Sequence, residues 1–293
     1  MSRLFIIVKN FLNQIFKKKS PFGSLISAFF RIFRNFFRKI KIFINGNYFV
    51  TQKSSYIGDG LASNHVFDFM LDEKFIHAYN EGKNTGAIKN HPTDIHYRAY
   101  IACYFANHAL NLEGDFVECG IGKGLLAKTI CVYLNFEKIN KNFFLFDTFA
   151  GIPLNQAQSN KEKELMKWMN ETIYAERDDI TEEFILDYFS EVKNTFSKFS
   201  NVKITKGIIP DSLNKVSLNK ISFISMDLNN AFAEIKAIEF LWHKIEKNGI
   251  ILLDDYAYSE GFRLQKNSWD KFAKEKNLQI LTLPTGQGLL IKN

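Results

Sequence analysis

The run Gly114-Asp115-Phe116-Val117-Glu118-Cys119-Gly120-Ile121-Gly122-Lys123-Gly124 ends an apolar strand pattern on Glu118. It places glycines at 120, 122 and 124 before a helical pattern opens near Leu125. Glycines let a backbone approach a ligand closely, and a helix start presents free N–H groups. The turn alone does not single out one cofactor, because dinucleotide oxidoreductases use a similar one, and a purely structural turn is the plain alternative. The acid ahead of the first glycine favours a ligand with a cationic amino-acid part over a pyrophosphate. S-adenosylmethionine, with an ammonium and a sulfonium, has that character.

A second acid, Asp147, ends the next strand pattern 29 residues after Glu118 and opens Asp147-Thr148-Phe149-Ala150-Gly151-Ile152-Pro153. At that point of a βαβ unit a carboxylate is placed to accept hydrogen bonds from ribose hydroxyls, which suits an adenosyl ligand as well as a nicotinamide one. The bland alternative is a surface-loop aspartate. Asp227, Asp254 and Asp255 follow at two further strand ends. Strand C-termini line the ligand crevice of an open α/β sheet, and three carboxylates there repel one another unless a cation binds them. Oxygen-only ligands select a hard divalent ion such as Mg²⁺. From spacing alone, paired acids capping helices explain the pattern as well.

The elements that must position these residues are legible as alternation. Short Val-, Ile- and Phe-rich runs at Asp115–Glu118, Phe143–Phe146, Val202–Thr205, Ile221–Ser225 and Ile250–Leu253 predict strands. Helical patterns fall at Val66–Tyr79, Asp94–Leu112, Leu125–Leu134, Lys161–Ser197 and Glu234–Lys247. Apolar strands of four or five residues separated by helices indicate a mostly parallel sheet covered on both faces. The expected organisation is a basic, Phe-rich helical extension over 1–58 and a Rossmann-like α/β domain over 59–293, with a helical lead-in at 66–112 and the sheet core at 113–293.

The Gly114–Pro153 string is joined by Gly207-Ile208-Ile209-Pro210-Asp211-Ser212-Leu213, Met226-Asp227-Leu228, Asp254-Asp255-Tyr256 and Pro284-Thr285-Gly286-Gln287-Gly288. Together, in this order over roughly Asp94 to Lys292, they resemble the macrocin (TylF-type) O-methyltransferase family. The resemblance implies a class I methyltransferase fold and methyl transfer from S-adenosylmethionine to sugar hydroxyls with Mg²⁺ bound. It implies cofactor contacts from Glu118, the glycines Gly120, Gly122 and Gly124, Asp147 with Thr148, and Asp211 with Ser212. It also implies that Asp227, Asp254 and Asp255 hold the metal. Residues 1–60 lie outside it.

One position departs from the family. Two residues after the first metal ligand, where an aspartate is common as the general base, this chain has Asn229, followed by Asn230 and Ala231. A carboxamide takes up no proton at neutral pH. Proton removal from a sugar hydroxyl then falls to a metal-acidified hydroxyl and water, to another residue, or is lost, which leaves a cofactor-binding protein with little turnover as the rival. A nicotinamide-dependent oxidoreductase is a second rival, but it leaves the Asp254–Asp255 pair without a purpose. His65, His77, His91, His96, His108 and His243 lack paired metal spacing, and His91 and His96 flank the segment where an acceptor-side role is open.

Composition separates two regions. The 293 residues carry 38 Lys and Arg against 31 Asp and Glu, for a net charge of +7, and include 30 Phe. Of the basic residues 11 fall in Met1–Gly58, which has no acid, so the remainder holds 27 basic against 31 acidic residues, a balance of −4. A body of that sign argues against nucleic acid as the partner, while the basic segment seeks an anionic surface. Leu4, Val8, Phe11, Leu12, Ile15 and Phe16, then Leu25, Ile26, Phe29, Phe30, Phe33, Phe36, Phe37 and Ile40, recur at helical spacing with Arg31, Arg34, Arg38 and Lys39 interleaved. Such a face predicts an interfacial helix on an anionic membrane over residues 1–46, with packing against the catalytic domain or a second copy as the alternative. No apolar run reaches the ~18–20 residues of a membrane span. The three cysteines, Cys103, Cys119 and Cys131, lack zinc or disulfide spacing and fit a reducing cytoplasm, with the chain peripheral on the inner membrane face. The acceptor that the resemblance implies is a glycan or other small molecule, and a membrane-seeking extension would suit a surface polysaccharide or lipid-linked glycan.

Overall fold

The structure is a computed structural model that describes residues 54–87, 93–171 and 182–293, with 182–188 as backbone. The expected helices of the extension lie outside the described residues, as does His91. In chain order the elements are β1 (Tyr56–Gly58), β2 (Leu61–Ser63), α1 (Glu73–Lys83), α2 (His96–Ala109), β3 (Asp115–Cys119), α3 (Leu125–Leu134) and β4 (Phe143–Asp147). They continue with α4 (Asn160–Met169), α5 (Glu182–Thr195), β5 (Val202–Lys206), β6 (Ile221–Met226), α6 (Ala231–Leu241), β7 (Ile245–Leu253), α7 (Arg263–Glu275), β8 (Leu281–Thr282) and β9 (Gly288–Ile291).

Seven strands form one sheet in the order β5-β4-β3-β6-β7-β9-β8. The first five run parallel, and β9 and β8 add antiparallel at the far edge. The chain therefore has the Rossmann-like α/β architecture that its alternation predicts. Period-two alternation in the strands divides the core. Phe116, Leu145, Phe223, Ile250 and Leu252 pack on one face beneath Phe75, Tyr79, Ala99 and Ile130 of α1, α2 and α3. Val117, Phe144, Phe146, Ile224, Ile251 and Leu253 pack on the other beneath Ile238, Leu241, Trp269 and Phe272 of α6 and α7. Burying each such side chain contributes about 1.5–3 kcal/mol, which is why these strands are apolar on both faces.

The helix boundaries follow local chemistry. Asp72 caps α1 by accepting from the amides of Lys74 and Phe75, so the expected Val66–Tyr79 helix starts later and is preceded by a short 3₁₀ turn at Asp68–Leu71. Ser159 caps α4 through the Glu162 amide, and the expected single helix over Lys161–Ser197 is divided between α4 and α5. The helix expected to reach Lys247 stops at Leu241 because Ile245 already pairs with Ile221 as β7 begins. The hairpin β1–β2 and the β8–β9 edge carry too few residues to stand out in the sequence, whereas helix α7, also not expected, turns Gln265, Trp269, Phe272 and Ala273 inward at helical spacing.

Candidate active site

The parallel ladder fixes where the acids stand. Cys119, Met226 and Leu253 are in register across β3, β6 and β7, so the residues that follow, Asp227 and Asp254, leave the sheet side by side. Backbone bonds extend that alignment past the strand ends: Asp227 N donates to Cys119 O (2.8 Å) and Asp254 N donates to Met226 O (2.9 Å). On the other side Gly120 N donates to Phe146 O (2.8 Å) and Gly207 N to Asp147 O (2.9 Å).

A shallow cleft, open to solvent, runs along these ends between Gly120, Asp147, Thr148, Ile152, Gly207 and Asp227. Asp147 is set for a ligand by the protein's own amides: Phe149 N donates to Oδ1 (2.7 Å) and Gly122 N to Oδ2 (2.9 Å). Burial raises its pKa, and those amides pull it back. Thr148 lines the same cleft, but its hydroxyl donates to Gly151 O (2.7 Å) and closes the loop. Glu118 lies 2% exposed with Oε2 lacking a hydrogen-bond partner. Burial, then Asp254 and Asp147, push its carboxyl well above the usual range. An orphaned buried acceptor beside other acids is what a cationic donor satisfies, although Glu118 itself is not among the residues walling the cleft.

Two expectations change here. Gly120 sits at φ 87°, and a Cβ there would stand 1.9 Å from the backbone oxygen of Asp227. The glycine is required by the approach of two loops of the protein itself, and not only by a ligand. Asp211 is exposed and is not among the residues walling the cleft, where Gly207 and Ile209 stand instead; Ser212 is fully buried with Oγ unpartnered.

At the other end, Asp227, Asp254 and Asp255 each offer a carboxylate oxygen, and these oxygens lie within 4.8 Å of one another. An octahedral Mg²⁺ with bonds of ~2.1 Å spans about 4.2 Å between opposite ligands, so the all-oxygen donor set fits a hard divalent ion after slight closure. Burial, then Asp254, pushes Asp255 up to about 7 against the pull of Arg98. Burial, Asp254 and Asp255 raise Asp227 well above the usual range. Burial is the larger cause of both shifts, and repulsion among the three carboxylates adds to it. Asn229, at φ 55°, turns its Nδ2 onto Asp227 Oδ1 (2.9 Å), leaving Oδ1 of the carboxamide unpartnered.

Sequence reasoning missed the groups that hold this end together. Arg98 bonds Asp254 and Asp255, and it also pairs with Asp59 from the β1–β2 turn. Gln287 Nε2 donates to Asp254 Oδ1 (3.2 Å). Glu234 accepts from Leu228 N (3.1 Å) and Trp269 Nε1 (2.6 Å), fixing the loop behind Asp227. One signal was available for Arg98: it is a lone cation inside the apolar pattern Ala99, Ile101, Ala102, Cys103, Ala106. His96, by contrast, packs on the Tyr79 ring, with centroids 4.0 Å apart.

Residues 102–282 match the macrocin-O-methyltransferase (TylF) family. The chain belongs to that family. Its members are S-adenosylmethionine-dependent O-methyltransferases, which sets the nicotinamide oxidoreductase reading aside. Among solved structures the fold is similar to the O-methyltransferase NovP, with 17% identity, a TM-score of 0.54, and 67% of this chain and 79% of that chain covered. It is also similar to the calicheamicin methyltransferase CalS11, with 15% identity, a TM-score of 0.52, and coverage of 78% and 94%. A third is the S-adenosylhomocysteine-bound Podospora anserina methyltransferase PaMTH1, with 10% identity, a TM-score of 0.50, and coverage of 75% and 87%. No curated protein matches the sequence.

Proposed function

We propose that this family member methylates a sugar hydroxyl, on a surface polysaccharide, a lipid-linked glycan or a glycosylated metabolite, with Mg²⁺ at Asp227, Asp254 and Asp255. The observation that carries the reading is the double membership of Asp227, which walls the cofactor cleft and belongs to the carboxylate triad. A methyl donor in the cleft and an acceptor oxygen at the triad are thereby neighbours, and orientation of that kind supplies much of the rate in a displacement.

When bound, S-adenosylmethionine supplies an electrophilic methyl group, and Mg²⁺ supplies Lewis acidity toward the acceptor hydroxyl. Asp147, held by the Phe149 and Gly122 amides, accepts from the ribose, and Glu118 Oε2 accepts from the ammonium. Asn229 holds Asp227 in place through Nδ2 and takes no proton, which leaves the hydroxyl proton to water or to another residue. The division of the chain belongs to the same reading: residues 1–46 bind an anionic membrane surface and 59–293 carry the chemistry. Among the described residues no helix is long and apolar enough to cross a membrane.

Full-length protein incubated with S-adenosylmethionine and a panel of nucleotide-linked sugars and glycans tests the reading by mass spectrometry. A sugar product heavier by one methylene is expected in Mg²⁺ and not in chelator. Full turnover in excess chelator rules out the metal, and turnover confined to non-sugar acceptors rules out the substrate class. Deleting the first 46 residues is expected to release the protein from anionic vesicles; a truncated chain that aggregates assigns the segment to the core or to a second copy.

A further inference from the structure

Arg98, the third residue of α2, is 4% exposed, and its guanidinium is used throughout. Nε donates to Asp59 Oδ2 (2.9 Å), and Nη2 donates to Asp59 Oδ1 (3.4 Å) and Thr285 O (3.2 Å). Nη1 donates to Asp254 Oδ2 (2.5 Å), Asp254 O (3.0 Å) and Asp255 Oδ1 (3.4 Å). The Tyr258 ring lies over the guanidinium carbon at 5.1 Å. One cation thus serves three buried or half-buried carboxylates, two of which also belong to the triad with Asp227. Asp59 faces this guanidinium from a turn at φ 47°, whose amide donates to Asp94 O (3.1 Å), so both ends of the arrangement are anchored to backbone.

A buried carboxylate cluster with no cation is costly, and the apoprotein must still fold before an ion reaches it. We propose that Arg98, backed by Asp59, is a positioning residue: an internal counter-ion that keeps Asp254 and Asp255 assembled before the divalent ion arrives and then shares them with it. This rests on the reading of the triad as a cation site. The planar fork matters as well as the charge, because a lysine ammonium at this place is a point donor without the fork's geometry. Two cations that use the same ligands are linked reciprocally, so removing one increases the protein's demand for the other.

The test compares full-length wild type, Arg98→Gln, Arg98→Lys and Asp254→Asn by thermal melting in chelator and in Mn²⁺, with Mn²⁺ affinity read by electron paramagnetic resonance. Mn²⁺ serves as the probe because it accepts the same oxygen ligands as Mg²⁺. Wild type is expected to bind Mn²⁺ and Asp254→Asn to lose it. Arg98→Gln should melt well below wild type in chelator, with at least half of that gap closed by Mn²⁺. It should also bind Mn²⁺ more tightly, by roughly 5–150-fold, the range for coupled sites. Arg98→Lys should fall between the two on both measures. A Gln variant that folds only in Mn²⁺ gives the same answer in its extreme form, and if it folds in neither condition Arg98→Lys decides. A gap equal in chelator and Mn²⁺ overturns the proposal, since a residue that merely supports the fold is indifferent to the ion. Wild type that binds no Mn²⁺ overturns the cation site itself, a result distinguishable from the first.

Discussion

The two ends of the site are built differently. The proposed cofactor end draws Glu118, Gly120, Gly122, Asp147 and Thr148 from two consecutive strand-to-loop transitions, and Asp147 is oriented by amides of those same loops. The carboxylate end gathers Asp59, Arg98, Asp227, the Asp254–Asp255 pair and Gln287 from five places in the chain, and side chains orient side chains. Backbone amides are fixed once the sheet forms. A cluster of like charges stays assembled only while its cations are present. The first end should therefore fail by misfolding and the second by losing its ion.

The largest effect tests the backbone-built end. Gly120→Val adds a side chain where even a Cβ meets Asp227 O at 1.9 Å, in a left-handed conformation that β-branched residues avoid. A cost above ~4 kcal/mol is expected, enough to abolish cooperative melting. A folded variant that merely lost the cofactor would show that the glycine serves the ligand alone. Next, Asp254→Ala should lower the methylation rate by at least about 10²-fold, the loss expected when a metal's stabilisation of developing charge is removed. Cofactor affinity should be unchanged in equilibrium titration.

The same contrast explains what could be read from the sequence. Glu118, the glycines and Asp147 lie in contiguous strings whose spacing carries their meaning, and the parallel sheet followed from apolar runs such as Phe143–Phe146 and Ile221–Ser225. Asp59 carries no local signature, and Arg98 shows only a lone cation in an apolar helical pattern, because their role exists only after α2 and the β1–β2 turn close over β7. Gln287 was inside a recognised motif, yet only tertiary contact shows that it supports Asp254. Asp211 shows the reverse case, a motif position that the fold leaves exposed.

Two smaller effects sharpen the picture. Gln287→Leu removes the donor to Asp254 Oδ1 and should weaken Mg²⁺ binding by about 10–100-fold, as is usual for groups that orient metal ligands. An unchanged affinity would mean that Arg98 alone positions Asp254. Asn229→Asp replaces the donor to Asp227 Oδ1 by a like charge, so melting in chelator should fall while Mg²⁺ affinity rises. With Mg²⁺ present the rate near neutrality should increase by less than the ~10²–10⁴-fold of a well-placed general base, because Asn229 now points at Asp227. A pH–rate profile unaltered by the substitution would place the base elsewhere.

The central claim is that two separable ends meet at Asp227, and titration calorimetry of two single variants tests it most directly. S-adenosylmethionine and Mg²⁺ are titrated separately into wild type, Asp147→Asn and Asp254→Asn. Asp147→Asn should lose cofactor affinity and keep that for Mg²⁺, whereas Asp254→Asn should lose Mg²⁺ and keep the cofactor. Two variants that impair both ligands alike, or a wild type that takes up the cofactor but no divalent ion, would contradict the account.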